Sequence, residues 1–528
     1  MYTQASSLPG TLTMSRAGLT AGVWIVAAAK LLVQLLAIRG YGWFRDEFYY
    51  IACSERLAFG YVDHPPLTPL LTAATRALVG DSIVGMRLLP ALAGAATVVV
   101  AGLLAREFGA RRFGQTVAAV GVLVAPQYLA LNHIVSMNAY EVLAWPLAAL
   151  ILCRLLNQER AGQTPRLAAW VWFGVVLGLG LQNKHSMLFF GFGVAVGFLL
   201  TPARRLLLTR GPWVAALVAL AIFLPNLVWQ IQHGWPTLEF MQNAAATKNV
   251  AMPPATFLGE QVLSMNPAAA PLWVGGLIWL LAAPAARSYR LFGIGYVAIL
   301  AVFLSTSAKP YYLAPYYPIL LAGGGVAVEA LLRGIATRTG AAVVRAAILT
   351  VPIAAGITIA PLALPVLPVE DYIRYAHTLG LGPAPAERHR MGVLPQFYAD
   401  MFGWHELVAT IEQATAQLTP EERDKVVVFT GNYGEAGAIN FLGRGRAVPR
   451  AISGHNNYWL WGPNGASREV LFVLGGTAEQ HDECTSVHEV ARSQCDYCMP
   501  YEDDLPVFLC RDLKLPVADL WSAARHYN

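Results

Sequence analysis

Residues 21–50 read AGVWIVAAAKLLVQLLAIRGYGWFRDEFYY, and this stretch decides the class of fold. Its first part, residues 21–38, is apolar and close to the roughly 20 residues that a helix needs to cross a bilayer. Arg45, Asp46 and Glu47 follow directly beyond the apolar segment. An apolar helix with a charge cluster at its end predicts a membrane span that carries a polar site at the membrane surface.

The composition supports a protein with many membrane spans. The chain of 528 residues is 56% hydrophobic and 13% charged, whereas a soluble protein carries about 25% charged residues. Residues 1–361 hold 35 of its acidic and basic side chains, and the much shorter segment 362–528 holds 34. We therefore expect a membrane module over 1–361 and a water-soluble domain over 362–528, with the boundary in the proline-rich APLALPVLPVED.

The apolar segments of the membrane module predict about eleven transmembrane helices. The first segment has no small-residue cleavage site after it, so we interpret it as a retained span rather than a signal peptide. The predicted spans are 18–38, 86–105, 115–131, 139–155, 167–183, 187–201, 212–230, 269–284, 291–307, 311–331 and 343–361.

Arginine clusters orient these spans, because short cytoplasmic loops are enriched in Lys and Arg. Alternate loops carry the clusters, and the loops between them carry none. The clusters are Arg106/Arg111/Arg112, Arg154/Arg160/Arg166, Arg204/Arg205/Arg210, Arg287/Arg290 and Arg333/Arg338/Arg345. The pattern predicts a multi-pass protein of the cytoplasmic membrane with a cytoplasmic N-terminus, external loops at 39–85 and 231–268, and an extracytoplasmic domain at 362–528.

The extracytoplasmic domain has the pattern of a small α/β unit. VVVFT, VLFVL and PVFLC are short apolar runs typical of buried strands, and MFGWHELVATIEQATAQL is amphipathic at helical spacing. Two loops, GNYGEAGAINF and SGHNNYWLWGP, combine glycine, asparagine and aromatic residues. These loops either bind a sugar or acceptor, or pack the domain onto the membrane module, and the sequence leaves both alternatives open.

The cysteines of this domain predict disulfides. Cys484, Cys495, Cys498 and Cys510 all lie in the segment assigned to the oxidising side of the membrane. Four cysteines allow three pairings, and the sequence does not choose among them. The Cys495–Cys498 spacing also suits a metal or redox hairpin, but no second such pair completes a zinc site, and free thiols are a further alternative. The net charge of +5 is explained by the loop arginines, so we predict no nucleic-acid partner.

Polar residues collect on the predicted outer side of the membrane. A carboxylate surrounded by cations can take the proton of an alcohol while the cations neutralise a departing phosphate. Singly, these residues also fit a helix-end ion pair, a snorkelling lysine or an interfacial tyrosine belt. The candidates are Arg45, Asp46, Glu47, Asp63, His64, Asn138, Lys184, His233, Lys309 and Tyr312.

Four motifs in order resemble glycosyltransferase family 39, which includes dolichyl-phosphate-mannose-protein mannosyltransferases and aminoarabinose transferases. They are DEFYY from Asp46, DHPPL from Asp63, Asn183-Lys184 after a glycine-rich span, and KPYYL from Lys309. The resemblance covers roughly residues 18–331. It implies a GT-C fold and an inverting transfer of a sugar from a polyprenyl-phosphate donor at the outer membrane face.

The resemblance also implies roles for single residues. Asp46 corresponds to the general base that activates the acceptor hydroxyl, and Lys184 to the lysine that binds the donor phosphate. His64 stands where aminoarabinose transferases have a lysine, and Arg45 lies beside the base, so both are candidates for phosphate contact. Asn138 stands where the family usually has aspartate. We therefore predict no required metal and no cofactor.

Two classes of function fit these patterns. The first is the glycosyltransferase, with a lipid, glycan or protein as acceptor and membrane lipids as its surroundings. The second is a transporter or flippase of lipid-linked sugars. A transporter would place ionisable residues near the middle of the membrane, whereas here the charges cluster at the outer rim. The pattern therefore favours the enzyme, and it does not identify the sugar.

Overall fold

The computed structural model describes residues 18–248, 252–306, 308–383 and 390–528. Up to residue 363 the described chain is almost entirely helical. Its α-helices are α1 (Ala21–Ala37), α2 (Arg45–Ser54), α3 (Leu67–Val79), α4 (Ile83–Glu107), α5 (Arg112–Leu123), α6 (Pro126–Leu131), α7 (Met137–Arg160), α8 (Leu167–Asn183), α9 (Met187–Leu199), α10 (Arg210–Gln232), α11 (Pro236–Asn243), α12 (Pro254–Ser264), α13 (Ala270–Ala282), α14 (Arg290–Leu304), α15 (Tyr317–Arg333) and α16 (Arg338–Ala363). Shorter 3-10 segments, among them Pro202–Leu208 and Pro310–Tyr316, connect some of these helices.

Several helices are long and apolar enough to span a membrane, so the chain is a multi-pass membrane protein. Within the described ranges, six pass by length and composition, and two pairs bent by 105° and 91° raise the number to eight if each pair is one span. The six are Ile83–Glu107, Met137–Arg160, Arg210–Gln232, Pro284–Leu304, Pro310–Arg333 and Arg338–Ala363. Each of the eleven predicted spans coincides with a helical segment, and the count of eleven crossings stays a prediction.

One predicted span is a broken helix. The segment 115–131 was expected to be continuous, but α5 ends at Leu123 and α6 begins at Pro126. Proline has no backbone N–H and its ring clashes with the preceding turn, so it suits the first turn of a new helix.

Glycines let two core helices touch backbone to backbone. A methyl group added at Gly276 of α13 would lie 1.8 Å from the carbonyl oxygen of Leu320 in α15. One added at Gly324 of α15 would lie 2.1 Å from the carbonyl oxygen of Leu272. Close approach through small residues is typical of helix pairs in membranes, where burial of apolar surface no longer drives association.

After residue 363 the chain forms a small unit around a five-stranded sheet. Its helices are α17 (Val369–Thr378), α18 (Gln396–Ala399), α19 (Trp404–Ala416), α20 (Pro420–Arg423), α21 (Tyr433–Leu442), α22 (Asn457–Leu460) and α23 (Val517–Ala523), and its strands are β1 (Val428–Thr430), β2 (Ala451–Ser453), β3 (Val470–Leu474), β4 (Cys484–Ser493) and β5 (Leu505–Leu513). The strand order is β2-β1-β3-β5-β4. The pairs β1–β2 and β1–β3 are parallel, and β3–β5 and β4–β5 are antiparallel.

The three apolar runs that predicted strands form β1, β3 and β5, which are the three central strands of this sheet. The edge strands β2 and β4 were not predicted. Strand β4 is half exposed and mixes polar with apolar side chains, so no continuous apolar run marks it.

The C-terminal sheet also holds one disulfide. Cys484 of β4 is bonded to Cys510 of β5, and these strands are neighbours. Cys495 and Cys498 are thiols in this structure. The structure thus selects one of the pairs that the sequence left open.

The C-terminal unit packs against α2, in the segment between α1 and α4. Phe48 and Tyr49 of α2 lie in one hydrophobic cluster with Trp404, Tyr433 and Tyr458 of the C-terminal unit. Phe48 meets Trp404 edge to face, and Tyr49 stacks on Tyr433 with ring centroids 4.5 Å apart. Helix α2 is therefore enclosed between the membrane helices and the C-terminal unit.

Candidate active site

Asp46 lies in the first turn of α2 and keeps part of its carboxylate accessible. Its side chain is 37% exposed. This exposed fraction is larger than that of the other carboxylates described in this section. The hydroxyl of Tyr433 donates a hydrogen bond to Asp46 Oδ1 at 2.9 Å. Burial, and then the Asp46 charge, raise the pKa of Tyr433 well above its ordinary value. Tyr433 therefore stays protonated and acts as the donor in this bond.

Arg45 is held by the C-terminal unit and turned toward a different carboxylate. Its Nη1 donates to the hydroxyl of Tyr501 at 2.5 Å and lies 3.8 Å from Asp400 Oδ1. Its Nε is 4.0 Å from Asp46 Oδ1, beyond hydrogen-bond reach. Arg45 thus places a positive charge near Asp46 without occupying its carboxylate.

Two buried carboxyl groups lie behind Arg45. The side-chain amide of Asn432 donates to Glu435 Oε1 at 2.6 Å and to Glu502 Oε1 at 3.0 Å. Burial raises the pKa of both carboxyl groups, and the neighbouring Glu502 raises that of Glu435 further. Two carboxyl groups this close favour the protonated form of one of them.

Asp63 is hydrogen-bonded to Tyr49, the residue whose ring stacks on Tyr433. The Tyr49 hydroxyl donates to Asp63 Oδ1 at 2.9 Å. Burial raises the pKa of Asp63, and the neighbouring His64 opposes this shift. The stacked pair of Tyr49 and Tyr433 therefore links Asp46 and Asp63 through two tyrosine hydroxyls.

His64 is completely buried among aromatic rings. Its ring centroid lies 4.8 Å from that of Tyr61 and 4.9 Å from that of Tyr50. Its Nδ1 donates to the carbonyl oxygen of Pro65 at 3.0 Å, and its Nε2 is 4.0 Å from Asp63 Oδ1. A phosphate could reach His64 only after the surrounding aromatic residues moved, so a phosphate contact at His64 stays a prediction.

Lys184 belongs to a second polar cluster, at the end of α8. Its Nζ donates to Asn138 Oδ1 at 2.7 Å and to Glu141 Oε2 at 2.8 Å. The same Nζ lies 4.8 Å from the ring centroid of Tyr312. Three of the predicted site residues, Asn138, Lys184 and Tyr312, are therefore neighbours.

Tyr50 connects the two clusters. Its hydroxyl accepts a hydrogen bond from the backbone N–H of Met137 at 3.3 Å, and Asn183 donates to the carbonyl oxygen of Met137 at 2.8 Å. Burial, followed by the charges of Asp63 and Asp46, raises the pKa of Tyr50 well above its ordinary value. The start of α7 thus lies between the rim carboxylates and the residue that precedes Lys184.

Glu47 is part of the framework rather than of an open site. Its side chain and that of Arg87 are both fully buried, and the pair is joined by two bonds of 2.9 and 2.7 Å. Glu47 also accepts from the backbone N–H groups of Phe44 at 2.9 Å and of Val135 at 3.0 Å. With these four bonds its carboxylate has no lone pair facing solvent.

The two remaining candidates are Lys309 and His233. Lys309 is the residue directly before the 3-10 helix Pro310–Tyr316, which carries Tyr312. His233 follows the last residue of α10, stacks on Trp229 at 4.1 Å and donates through Nδ1 to the carbonyl oxygen of Trp229. His233 is thus engaged with its own helix.

Metal binding has no geometric candidate in the described parts of the chain. No group of three or more His, Cys, Asp and Glu side chains is placed there to hold an ion. The independence from metal stays a prediction.

Sequence reasoning missed six residues of this arrangement: Arg87, Glu141, Asp400, Asn432, Tyr501 and Glu502. Glu141 had a local signal, because it lies three residues after Asn138 and so shares its helix face. Tyr433 was noted as a residue that either binds ligand or packs the C-terminal unit onto the membrane module. Its contacts with Tyr49 and Asp46 show the packing role.

Comparisons with known proteins agree with this architecture. Residues 63–229 match the family model described as dolichyl-phosphate-mannose-protein mannosyltransferase. The lipid A galacturonosyltransferase RgtD of Rhizobium johnstonii is 30% identical over 215 residues, which are 40% of this chain and 44% of RgtD. The match therefore spans less than half the length of this curated relative.

Solved structures resemble the chain over almost its full length. ArnT from Cupriavidus metallidurans in the apo state covers 92% of this chain and 97% of its own, with 16% identity and a TM-score of 0.57. The same protein bound to undecaprenyl phosphate covers 93% and 98%, with 17% identity and a TM-score of 0.56. At this identity the likeness is one of fold.

The fold and the matches define the class of this protein. It is a multi-pass membrane protein with the GT-C architecture of ArnT, a predominantly helical body and a small C-terminal sheet unit. In sequence it is similar to dolichyl-phosphate-mannose-protein mannosyltransferases over residues 63–229, and to RgtD over 215 residues.

Proposed function

We propose that this chain is an inverting glycosyltransferase that moves a sugar from a polyprenyl-phosphate donor to an acceptor hydroxyl at the outer face of the cytoplasmic membrane. The observation that carries the proposal is the partly exposed Asp46 carboxylate, oriented by Tyr433 within a GT-C fold. RgtD is named as a lipid A galacturonosyltransferase and ArnT was solved with undecaprenyl phosphate. These names support a polyprenyl-phosphate donor and a glycolipid acceptor.

The chemistry assigned to Asp46 is general base catalysis. Its carboxylate takes the proton of the acceptor hydroxyl as the oxygen forms a bond to the anomeric carbon of the donor sugar. The bond from that carbon to the phosphate oxygen breaks on the opposite face, and the electron pair leaves with the polyprenyl phosphate. A single displacement of this kind inverts the anomeric carbon. A phosphate needs no proton to leave, so the site needs cations rather than a general acid.

Lys184 is the proposed cation for the donor phosphate. It is nearly buried, so its charge is poorly screened by water. Asn138 and Glu141 fix the position of its ammonium group, and Glu141 is the negative charge with which a phosphate would share it. The aspartate that the family usually has at position 138 is an amide here, which leaves one carboxylate fewer beside Lys184.

A transporter of lipid-linked sugars has weaker support. Lys30 in α1 is an ionisable residue in the middle of a predicted span and is fully buried. Its Nζ donates to the carbonyl oxygen of Tyr128 at 2.7 Å, close to the break between α5 and α6. This contact gives Lys30 a structural partner where the helix is interrupted.

The direct test is product identification. The purified protein is incubated in vesicles with several polyprenyl-phosphate sugars and with glycolipid, glycan or peptide acceptors, and the products are analysed by mass spectrometry and NMR. We expect one donor to yield a glycosylated acceptor whose anomeric configuration is opposite to that of the donor. Retained configuration, or movement of the intact donor across the bilayer without transfer, would reject the proposal.

Replacing Lys184 by methionine should raise the KM for the donor by about tenfold or more, because a hydrogen bond between charged groups contributes about 1.5–3 kcal/mol. Arginine at position 184 should retain much of the donor binding. Lys425→Met is the matched control, since Lys425 is a surface residue paired with Glu469. Steady-state kinetics over a range of donor concentrations measures the effect, and an unchanged donor KM in Lys184→Met would argue against a phosphate role.

Replacing Tyr433 by phenylalanine should lower kcat by about tenfold while the KM for the donor changes little. Phenylalanine keeps the ring that stacks on Tyr49 and removes only the hydroxyl that donates to Asp46. The loss corresponds to one hydrogen bond to a charged group. Tyr433 is a positioning residue, so a normal melting temperature with reduced kcat is expected, and a kcat within twofold of wild type would contradict this role.

A further inference from the structure

A polar cavity lies at the opposite end of α2 from Asp46. It has a volume of about 410 Å³ and is formed by the end of α2, the helix α21 and the segment that leads from α21 to β2. Its polar lining consists of four arginines, one glutamate, one asparagine and one tyrosine. These residues, which we call the arginine pocket, are Arg56, Arg444, Arg446, Arg450, Glu55, Asn440 and Tyr458.

Two of the arginines are neutralised by carboxylates. Arg444 pairs with Asp81 at 2.9 Å and also with Glu55, which at the same time pairs with Arg76 at 2.8 Å. Arg446 pairs with Glu412 at 2.5 Å. These pairs tie the pocket wall to the loop before α4 and to α19.

The other two arginines have no such partner. In the described part of the chain, no carboxylate oxygen lies within 4.0 Å of the guanidinium of Arg56 or Arg450. Arg56 is half-buried and lies over the ring of Trp461 at 4.4 Å. Burial, and then the positive charge of Arg450, lower the pKa of Arg56. Two guanidinium groups that repel each other across a cavity would be stabilised by an anion between them.

A buried hydroxyl gives an independent sign of a missing ligand. Tyr458 is 4% exposed, and within the described residues its hydroxyl makes no bond of hydrogen-bond geometry. The neighbouring Asn440 uses one amide N–H and its oxygen for the backbone of Ala451, at 2.9 Å each. Only its second N–H is left to face the Tyr458 oxygen, so the hydroxyl proton of Tyr458 has no acceptor there. Buried polar groups almost always have a partner, and a ligand in the arginine pocket would supply one.

We infer that the arginine pocket binds the phosphate group of a phosphorylated sugar, with Arg56 and Arg450 contacting the phosphate. Arginine's planar fork of donors matches phosphate oxygens. The cavity falls within the range of about 300–1,000 Å³ that holds a small organic molecule, and its walls at Ile439, Val448 and Pro449 are apolar. A sugar ring beside the phosphate would fill the rest of it.

The position of the arginine pocket assigns it to the acceptor, and this part of the inference rests on the proposed function. Ala52 of α2 lines the pocket, and six residues of helix, about 9 Å of rise, separate it from Asp46. The arginine pocket therefore binds the acceptor through its phosphate group. The hydroxyl that receives the sugar belongs to another part of the same glycan, nearer to Asp46.

The test uses the full-length protein in nanodiscs of phosphatidylcholine and isothermal titration calorimetry. The probes are glucosamine 1-phosphate, glucosamine and inorganic phosphate. We expect glucosamine 1-phosphate to bind at least tenfold more tightly than either of the others. The Arg56→Gln/Arg450→Gln protein should bind it at least tenfold more weakly, and Tyr458→Phe a few-fold more weakly. Arg374→Gln is the matched control, because Arg374 is exposed and pairs with Asp371.

Each outcome decides the inference. Equal affinity of the wild type and the double variant would overturn it, and so would equal binding of glucosamine and glucosamine 1-phosphate. If inorganic phosphate bound as tightly as glucosamine 1-phosphate, the pocket would be a phosphate site that makes no contact with a sugar, and the inferred sugar phosphate would be wrong. Competition by nanodiscs that contain phosphatidylglycerol would show instead a contact with bulk lipid headgroups. Since Tyr458→Phe loses no packing, it keeps the test informative if the double variant folds poorly.

The binding test is separable from the test of transfer. The Asp46→Asn protein should bind glucosamine 1-phosphate with wild-type affinity, because Asp46 does not line the arginine pocket. Binding without any transferase activity would leave the arginine pocket in place and reject the proposed function. Transfer activity without binding of glucosamine 1-phosphate would support the proposed function and reject the arginine pocket as a phosphate site.

Discussion

The Asp46→Asn protein is expected to transfer sugar about 10²- to 10⁴-fold more slowly than the wild type, the range that a general base contributes. The amide cannot take a proton from the acceptor hydroxyl, although it has nearly the same shape. Its side-chain oxygen can still accept the hydrogen bond from Tyr433. The measurement is the initial rate of transfer with the donor and acceptor found by product analysis.

The design of this comparison separates chemistry from folding. The melting temperature of Asp46→Asn should match that of the wild type, since Asp46 is partly exposed and its hydrogen bond is retained. Asp504→Asn is the matched control, because Asp504 is exposed and pairs with Arg492 on β4; its rate should be unchanged. Near-normal turnover in Asp46→Asn would remove Asp46 from the role of base.

The second large effect is expected from the pair formed by Glu47 and Arg87. Arg87→Met should lower the free energy of unfolding by about 3–5 kcal/mol, the cost of leaving one charge of a buried pair without its partner. The substitution also removes the bonds that Arg87 donates to the carbonyl oxygens of Ile38 at 3.0 Å and Gly42 at 2.7 Å. Thermal melting and denaturant unfolding in detergent measure the loss.

A double variant tests the physical reason for this loss. Glu47→Gln added to Arg87→Met removes the uncompensated charge and keeps an oxygen for the backbone N–H groups of Phe44 and Val135. It should therefore be more stable than Arg87→Met alone. If the double variant were equally unstable, the charge would not be the cause. If Arg87→Met melted like the wild type, the pair would not hold the rim in place.

The helices of the membrane module were predictable because the bilayer imposes a minimum apolar length on each span. Helix α10, for example, fills the predicted span 212–230 and extends only a few residues beyond it. The break at Pro126 follows from backbone chemistry, yet the average hydropathy of 115–131 concealed it. Strand β4 escaped prediction because an edge strand with mixed side chains has no apolar run to mark it.

The residues of the candidate site also fall into two groups, those that the sequence indicated and those that it did not. Asp46 and Lys184 were predicted as candidates because charges near the end of an apolar segment stand out against their surroundings, and Asp63 because it lies in the same polar segment as Asp46. Partners that contact these residues from a distant part of the chain could not be predicted from the sequence. Tyr433 and Asp400 reach the start of α2 from the C-terminal unit, and nothing near Asp46 in the sequence indicates them. The partner of Lys184, Glu141, lies on a different helix and needed the packing of α7 against α8.

The hydrogen bond between Tyr433 and Asp46 joins residues 387 positions apart. During synthesis the first span and α2 emerge long before the C-terminal unit exists. A ribosome-bound chain that has already inserted its helices would therefore still lack Tyr433, whose hydroxyl orients the Asp46 carboxylate. On the proposed mechanism, the candidate base is therefore oriented only after the C-terminal unit has been synthesised and folded.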